Sequence, residues 1–139
     1  FGVDNNKIYN NVYNSNEISK LKLLSIALKN LELIVEKKTA IMFLNQADLI
    51  KNNYKKGDSG GIVNYGLSLK GIHFSVIFIE DENEKNKFKI SFRSKEDFPC
   101  NEFAFKFFNG GGHLNAAGGL YKGNLNSAIE YFKKSLNEF

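Results

Sequence analysis

Cysteine, proline and tryptophan are almost absent from this 139-residue chain, which holds one cysteine, Cys100, one proline, Pro99, and no tryptophan. A single cysteine excludes an intramolecular disulfide and a metal site built on several thiolates. This usage fits a reducing compartment, so we expect a cytoplasmic protein. With one proline and no serine-rich stretch, nothing inside the chain indicates a linker between domains.

Long apolar runs are missing as well. No uncharged apolar segment approaches the ~18 residues that span a bilayer, so we expect no membrane partner. The first residues also lack the basic and hydrophobic regions of a signal peptide. The chain does not begin with Met, and we interpret it as a segment of a longer protein. With 13 Phe and 6 Tyr among 139 residues, it can form one domain around a substantial core.

Arginine is nearly absent too, because Arg93 is the only arginine among 19 basic residues. Its planar guanidinium can bind a phosphate or carboxylate through two parallel hydrogen bonds, which a lysine ammonium cannot do. Ser94 follows with a hydroxyl. The net charge of +4 fits an anionic partner but is too small to indicate a duplex-binding surface. An ordinary surface charge is the alternative interpretation of Arg93.

Hydrophobic periodicity predicts an α/β fold, a mixed β-sheet flanked by helices. Strands are expected at 39–44, 73–80, 87–93 and 120–123. In the third of these, Phe88, Ile90 and Phe92 should face one way and Arg93 the other. Helices are expected from a cap at Asn14 and Glu17 to about Lys38, at 46–56, after a cap at Ser59, at 102–108, and around 128–136.

The densest chemical signal is the stretch Gly110, Gly111, Gly112 and His113, followed by Leu-Asn-Ala-Ala-Gly-Gly. Successive glycines expose backbone N–H groups to an anion, and a helix beginning at His113 would add its positive dipole end. The stretch matches neither a Walker A loop nor a dinucleotide-binding glycine motif. A flexible turn or close packing is the alternative interpretation of the glycines.

Together these residues resemble a known family. The string FNGGGHLNAAGG, with SFRSK some fifteen residues upstream, resembles the signature elements of the DHHA1 domain, the C-terminal substrate-binding half of DHH-family phosphoesterases. The NrnA-type enzymes, which are oligoribonucleases and 3′-phosphoadenosine 5′-phosphate phosphatases, are the most similar subgroup. The resemblance implies a DHHA1 domain at 39–139, and a segment at 1–38 that connects it to a preceding DHH domain.

The resemblance also implies a division of labour. The family hydrolyses phosphoesters with two divalent metals, usually manganese, held by an Asp-His-His domain that this chain lacks, so we expect no metal site and no catalytic residue here. The implied substrate is a short RNA or a nucleoside bisphosphate, and the implied partner is the DHH domain of the same protein. The implied substrate-binding residues are Arg93, Ser94, Gly110, Gly111, Gly112 and His113. A homodimer, a single-strand-binding module of a RecJ-like exonuclease and a structural or dimerisation domain stay open.

Overall fold

The structure, a computed structural model, describes residues 18–139. Five α-helices are described there: α1 (Ile18–Lys29), α2 (Gln46–Lys51), α3 (Ile62–Leu67), α4 (Cys100–Phe108) and α5 (Leu125–Glu138). Six strands are described: β1 (Glu32–Ile34), β2 (Thr39–Leu44), β3 (Phe74–Glu80), β4 (Lys87–Ser94), β5 (Gly111–His113) and β6 (Ala116–Lys122). The expected cap at Asn14 and Glu17 lies outside the described residues.

All six strands form one mixed sheet in the order β1-β2-β3-β4-β6-β5. Strands β2 and β3 are parallel, and every other neighbouring pair is antiparallel. The central strand β3 is buried along its whole length, as its nearly continuous apolar sequence predicts. Strand β4 alternates between buried and more exposed positions, which confirms that Phe88, Ile90 and Phe92 share one face.

Helices pack on both faces of the sheet, which confirms the predicted α/β class. The first face is covered by α4 and α5, and its core is built largely of phenylalanine. Phe74, Phe92, Phe103 and Phe132 lie within 6.0 Å of one another, centroid to centroid, in the pairs that touch. The second face is covered by α1, α2 and α3 over β2 and β3, through smaller aliphatic side chains. Helices therefore pack against β2 and β3 from both sides.

Several local predictions are confirmed. Strand β2 spans the predicted residues, β3 begins one residue later than predicted, and β4 ends one residue later. The polar segment 81–86 joins β3 and β4 as a hairpin, because the two strands pair antiparallel on either side of it. Helices α4 and α5 occupy the aromatic and amphipathic segments that predicted them.

Other predictions are wrong, the first of them because of a long-range strand pairing. The first helix ends at Lys29 and not near Lys38, because Glu32–Ile34 instead pairs as β1 with β2. The helix expected at 46–56 ends at Lys51. Helix α3 is capped by Gly61, whose φ of +81° suits glycine, and not by Ser59.

Candidate functional site

Helices α1, α2 and α3 cover β2 and β3 on the second sheet face, and α3 also contacts β4. The rest of this face, on β4, β6 and β5, is called the open face and is the candidate site. Residues directly opposite each other on antiparallel strands point to the same side of the sheet. Arg93 pairs with Ala116, and Ala116 pairs with His113, so the two charged or polar side chains lie on the same face. Neighbouring strands lie ~4.8 Å apart, and β6 lies between β4 and β5, so the Cα atoms of Arg93 and His113 are about 10 Å apart. An anion placed over the Ala116 methyl group can therefore contact both.

A second row of small groups lies beside the first. Ser91 pairs with Gly118, and Gly118 pairs with Gly111. Neither glycine carries a side chain above the sheet, and a Cβ built on Gly111 meets nothing within 4 Å. His113 is exposed, and Arg93 is half-buried with its Nη1 donating to the carbonyl of Phe92 at 2.8 Å. The other guanidinium donors remain for a ligand.

The prediction of a helix beginning at His113 is wrong. Residues Gly111–His113 form strand β5, and Ala116–Lys122, which includes Gly118 and Gly119, forms the longer strand β6 beside it. The glycines permit this strand pairing, because a Cβ on Gly110, Gly112 or Gly119 would collide with atoms of the neighbouring strand or helix. No helix dipole therefore acts on an anion at His113. The backbone N–H groups available here are those of an edge strand.

The three glycines of the run differ in role. A Cβ on Gly110 would collide with the backbone of Gly118, and one on Gly112, whose φ is +150°, would lie 2.5 Å from the carbonyl oxygen of Ala116. The amide of Gly110 donates to the carbonyl of Ala104 at 3.0 Å and so closes helix α4. Close packing thus excludes a side chain at Gly110 and Gly112, whereas Gly111 alone of the three combines open space above its Cα with a φ outside the positive range.

Strand β5 lies at the edge of the sheet. In an antiparallel ladder, backbone N–H and C=O groups alternate in direction, so an edge strand directs part of them away from its neighbour. All three residues of β5 are exposed. The edge therefore offers backbone donors next to Gly111 and His113.

The turn between β5 and β6 is fixed by hydrogen bonds. Asn115 donates through Nδ2 to Ser94 Oγ at 2.9 Å and to the carbonyl of Glu96 at 3.1 Å. Ser94, only 5% exposed, donates through Oγ to the carbonyl of Phe98 at 2.7 Å. Ser94 lies on the face opposite Arg93, so the structure does not bring it together with Arg93, Gly111 and His113. Its contacts hold the hairpin that positions His113.

Cys100 lies beneath this hairpin. Its amide donates to the carbonyl of Leu114 at 2.9 Å, and its Sγ lies 3.9 Å from the carbonyl oxygens of Phe92 and His113. The residue is fully buried, and this burial raises the pKa of the thiol above its ordinary value. A buried thiol held in its neutral form is a packing group and a poor nucleophile.

Positive charge continues along the open face. Lys89 and Lys122 are exposed there, and Lys87 forms an ion pair with Glu84 at 3.2 Å. The alternation of β4 places Lys89 on the same face as Arg93, and this alternation is the signal in the sequence that joins Lys89 to the site. Across residues 18–139, no three His, Cys, Asp or Glu side chains gather closely enough to hold a metal ion. None of the helices in that range is long and apolar enough to cross a bilayer.

Sequence comparison identifies the family. Residues 36–138 match the model of the DHHA1 domain, so the chain belongs to the DHHA1 family. A search of curated proteins gave no significant match.

Solved structures agree with this assignment. An exopolyphosphatase-related protein from Bacteroides fragilis is 41% identical, with a TM-score of 0.86 over 99% of this chain and 39% of its own length. A pGpG-specific phosphodiesterase from Vibrio cholerae shares the fold at 13% identity, with a TM-score of 0.60 over 99% of this chain and 43% of its own. RecJ from Thermus thermophilus shares it at 15% identity, with a TM-score of 0.54 over 86% and 16%. The chain thus spans less than half the length of each.

Proposed function

We propose that this chain is the substrate-binding half of a DHH-family phosphoesterase, and that its open sheet face binds a phosphate of the substrate. The observation that carries the proposal is the in-register row Arg93–Ala116–His113 beside the bare backbone of Gly111. Two structural relatives, an exopolyphosphatase-related protein and a pGpG-specific phosphodiesterase, are named for phosphate chemistry and support the same class.

Each residue has a defined part in this binding. Arg93 supplies a planar donor pair that matches two phosphate oxygens. His113 adds a ring N–H, and the edge of β5 adds a backbone donor beside Gly111. Ala116 and Gly118, on the strand between Arg93 and His113, have a small side chain or none, so the anion can approach the sheet there.

The substrate class we propose is a short oligoribonucleotide or 3′-phosphoadenosine 5′-phosphate. Cleavage belongs to a DHH domain outside this chain, where two divalent metals would activate water and stabilise the transition state. The described residues do not fit such a metal pair, because no suitable ligand group occurs among them. This chain contributes by orientation: it holds one end of the substrate so that the scissile phosphate is presented in a fixed position.

Arginine substitution tests the proposal. Arg93→Lys keeps the charge and removes the donor fork, so we expect the affinity for 3′-phosphoadenosine 5′-phosphate, measured by calorimetry, to fall about tenfold, as for loss of a charge-assisted hydrogen bond. The control is Lys70→Gln, which changes an exposed cation in the loop after α3, outside the Arg93–Ala116–His113 row, and should leave affinity unchanged. Equal affinity of Arg93→Lys and the unmodified chain would contradict the proposal.

One observation favours a second candidate, an extended track for single-stranded nucleic acid. Lys89, Leu120 and Lys122 continue the open face away from Arg93 and are exposed. Such a track would give affinity that rises with strand length and falls steeply with salt. Affinity that is the same for a dinucleotide and a decanucleotide would exclude it.

A further inference from the structure

A shallow depression of about 780 Å³ lies between helix α4 and the outer edge of β5. Its walls include Asn101, Glu102 and Phe105 from α4, and Phe139, while Gly111 and Gly112 form the side toward the sheet. Gly111 is shared with the phosphate site, so the depression continues that site over the edge of the sheet.

Two aromatic rings in this depression are exposed to solvent. Phe105 is 78% exposed, and Phe139 is 43% exposed, although the other phenylalanines of α4 are buried or half-buried in the core. Phe139 also packs against Phe98, Phe103 and Phe107, whereas Phe105 offers a largely uncovered, flat apolar face to a ligand. Flat aromatic ligands such as nucleobases stack on faces of this kind.

The same helix face holds hydrogen-bonding capacity that the fold does not use. Asn101 precedes Phe105 by four residues, so the two side chains are neighbours on α4. Asn101 Oδ1 is shielded from solvent and has no hydrogen-bond partner among the described residues. A buried acceptor without a partner is costly, so a donor on a ligand in the depression would stabilise the Asn101 amide once its side chain rotated toward that ligand. The Glu102 carboxylate beside it is a further acceptor.

We infer that this depression binds a nucleobase carrying an exocyclic amino group, stacked on Phe105 with its amino group donating to Asn101. The inference rests on the proposed function, because it assigns the base of the nucleotide whose phosphate lies at Arg93 and Gly111. An asparagine amide can donate to and accept from the adjacent N and NH₂ groups of adenine at once. The Glu102 carboxylate only accepts hydrogen bonds, so it favours an exocyclic amino group over the carbonyl oxygens of uracil.

Ligands that separate base from phosphate test the inference. NMR titrations of the chain would use AMP, UMP and ribose 5-phosphate, with the fold of each variant checked by its spectrum. We expect Phe105→Ala to weaken AMP binding about tenfold and to leave ribose 5-phosphate unchanged, since only the base stacks. Asn101→Ala should reduce the preference for AMP over UMP. The control, Tyr65→Ala, removes a 49%-exposed ring from α3 and should change neither affinity.

The outcomes distinguish this inference from the proposed function. If Phe105→Ala binds AMP as tightly as the unmodified chain, the base subsite is wrong, and loss of ribose 5-phosphate affinity in Arg93→Lys would still uphold the phosphate site. If Phe105→Ala weakens AMP while Arg93→Lys leaves ribose 5-phosphate unchanged, the base subsite stands and the phosphate assignment fails. If Phe105→Ala changes only the molar mass in solution, the depression contacts a second copy and the inference is overturned.

Discussion

At the scale of single residues, the three glycines of the run differ in how closely the fold packs against them. Sequence reasoning treated Gly110, Gly111 and Gly112 as one phosphate cradle. The structure shows that Gly110 closes helix α4 and lies against Gly118, and that Gly112 lies against Ala116. The sequence could not reveal this, because the partner of each glycine is fixed by strand pairing and not by its neighbours in the chain.

A pair of alanine substitutions tests this separation. Gly111→Ala places a methyl group in open space at an ordinary φ, so we expect unchanged stability and weakened binding of phosphate-bearing ligands. Gly110→Ala forces a Cβ into the backbone of Gly118 and should lower the free energy of unfolding by about 1–3 kcal/mol, the range for overpacking. Denaturant unfolding and calorimetry measure the two effects. Equal stability losses in both variants would contradict the assignment.

Cys100 gives a pH-dependent prediction. Burial raises the thiol pKa in the folded state, so the folded chain holds this proton more tightly than the unfolded chain does. The contribution is complete below about pH 8.5, the ordinary thiol pKa, and is lost as the pH rises through the folded value. Between pH 8 and 10 we therefore expect the free energy of unfolding to fall more steeply for the unmodified chain than for Cys100→Ala. Parallel slopes would show that the thiol does not titrate between the two states.

At the scale of elements, the site depends on how the β5–β6 hairpin is held. Asn115 joins the hairpin turn to Ser94 and Glu96, and these bonds fix the strand that carries His113. Ser94 was predicted to bind substrate, and its buried hydroxyl instead participates in this network. The local sequence SFRSK placed Arg93 and Ser94 side by side, but the strand's alternation sends their side chains to opposite faces.

Two asparagines allow a matched comparison. Asn115→Ala removes two hydrogen bonds and Asn124→Ala removes the N-cap of α5, so each should cost about 1–2 kcal/mol of stability. Only Asn115→Ala should also weaken phosphate binding, because only that residue holds β5. Thermal melts measure the stability and calorimetry the affinity. If both variants bind equally well, the turn does not position the site.

Element prediction succeeded where the signal is local and failed where pairing partners are distant. The apolar run of β3 and the alternation of β4 determine their strands. Residues Glu32–Ile34 read as a continuation of the first helix, and they form β1 because Ile41, Ala40 and Thr39 offer a free strand edge. The short strand β5 likewise forms because it pairs with β6. Three residues are too few to show a hydrophobic periodicity, so the sequence pattern could not predict this strand.

At the scale of the whole molecule, the chain is a six-stranded sheet with one face closed and the other open at β4-β6-β5. The fold class and the family were predictable, because the hydrophobic patterns and the GGGH string are both local. The common face of Arg93 and His113 was not, since it requires the register of three strands. That register turns two separated motifs into one surface.

The proposed division of labour makes a further prediction. With excess Mn²⁺, we expect this chain to release no nucleotide from short oligoribonucleotides. The reason is that no three His, Cys, Asp or Glu side chains among its described residues lie close enough together to hold a metal ion. A chromatographic assay with Arg93→Lys as the control separates genuine turnover from a contaminating nuclease. Hydrolysis by the unmodified chain that is lost in Arg93→Lys would refute the division.

Mapping where the phosphate binds on the chain tests the proposed site directly. Nuclear magnetic resonance titration of the labelled chain with 3′-phosphoadenosine 5′-phosphate should shift the amides of Gly111 and His113 and the Nε resonance of Arg93. A competing polar pocket, lined by Lys22, Lys29 and Lys51, lies on the α1 and α2 side. Shifts confined to that pocket, with Arg93, Gly111 and His113 unmoved, would contradict the assignment of the open sheet face as the phosphate site.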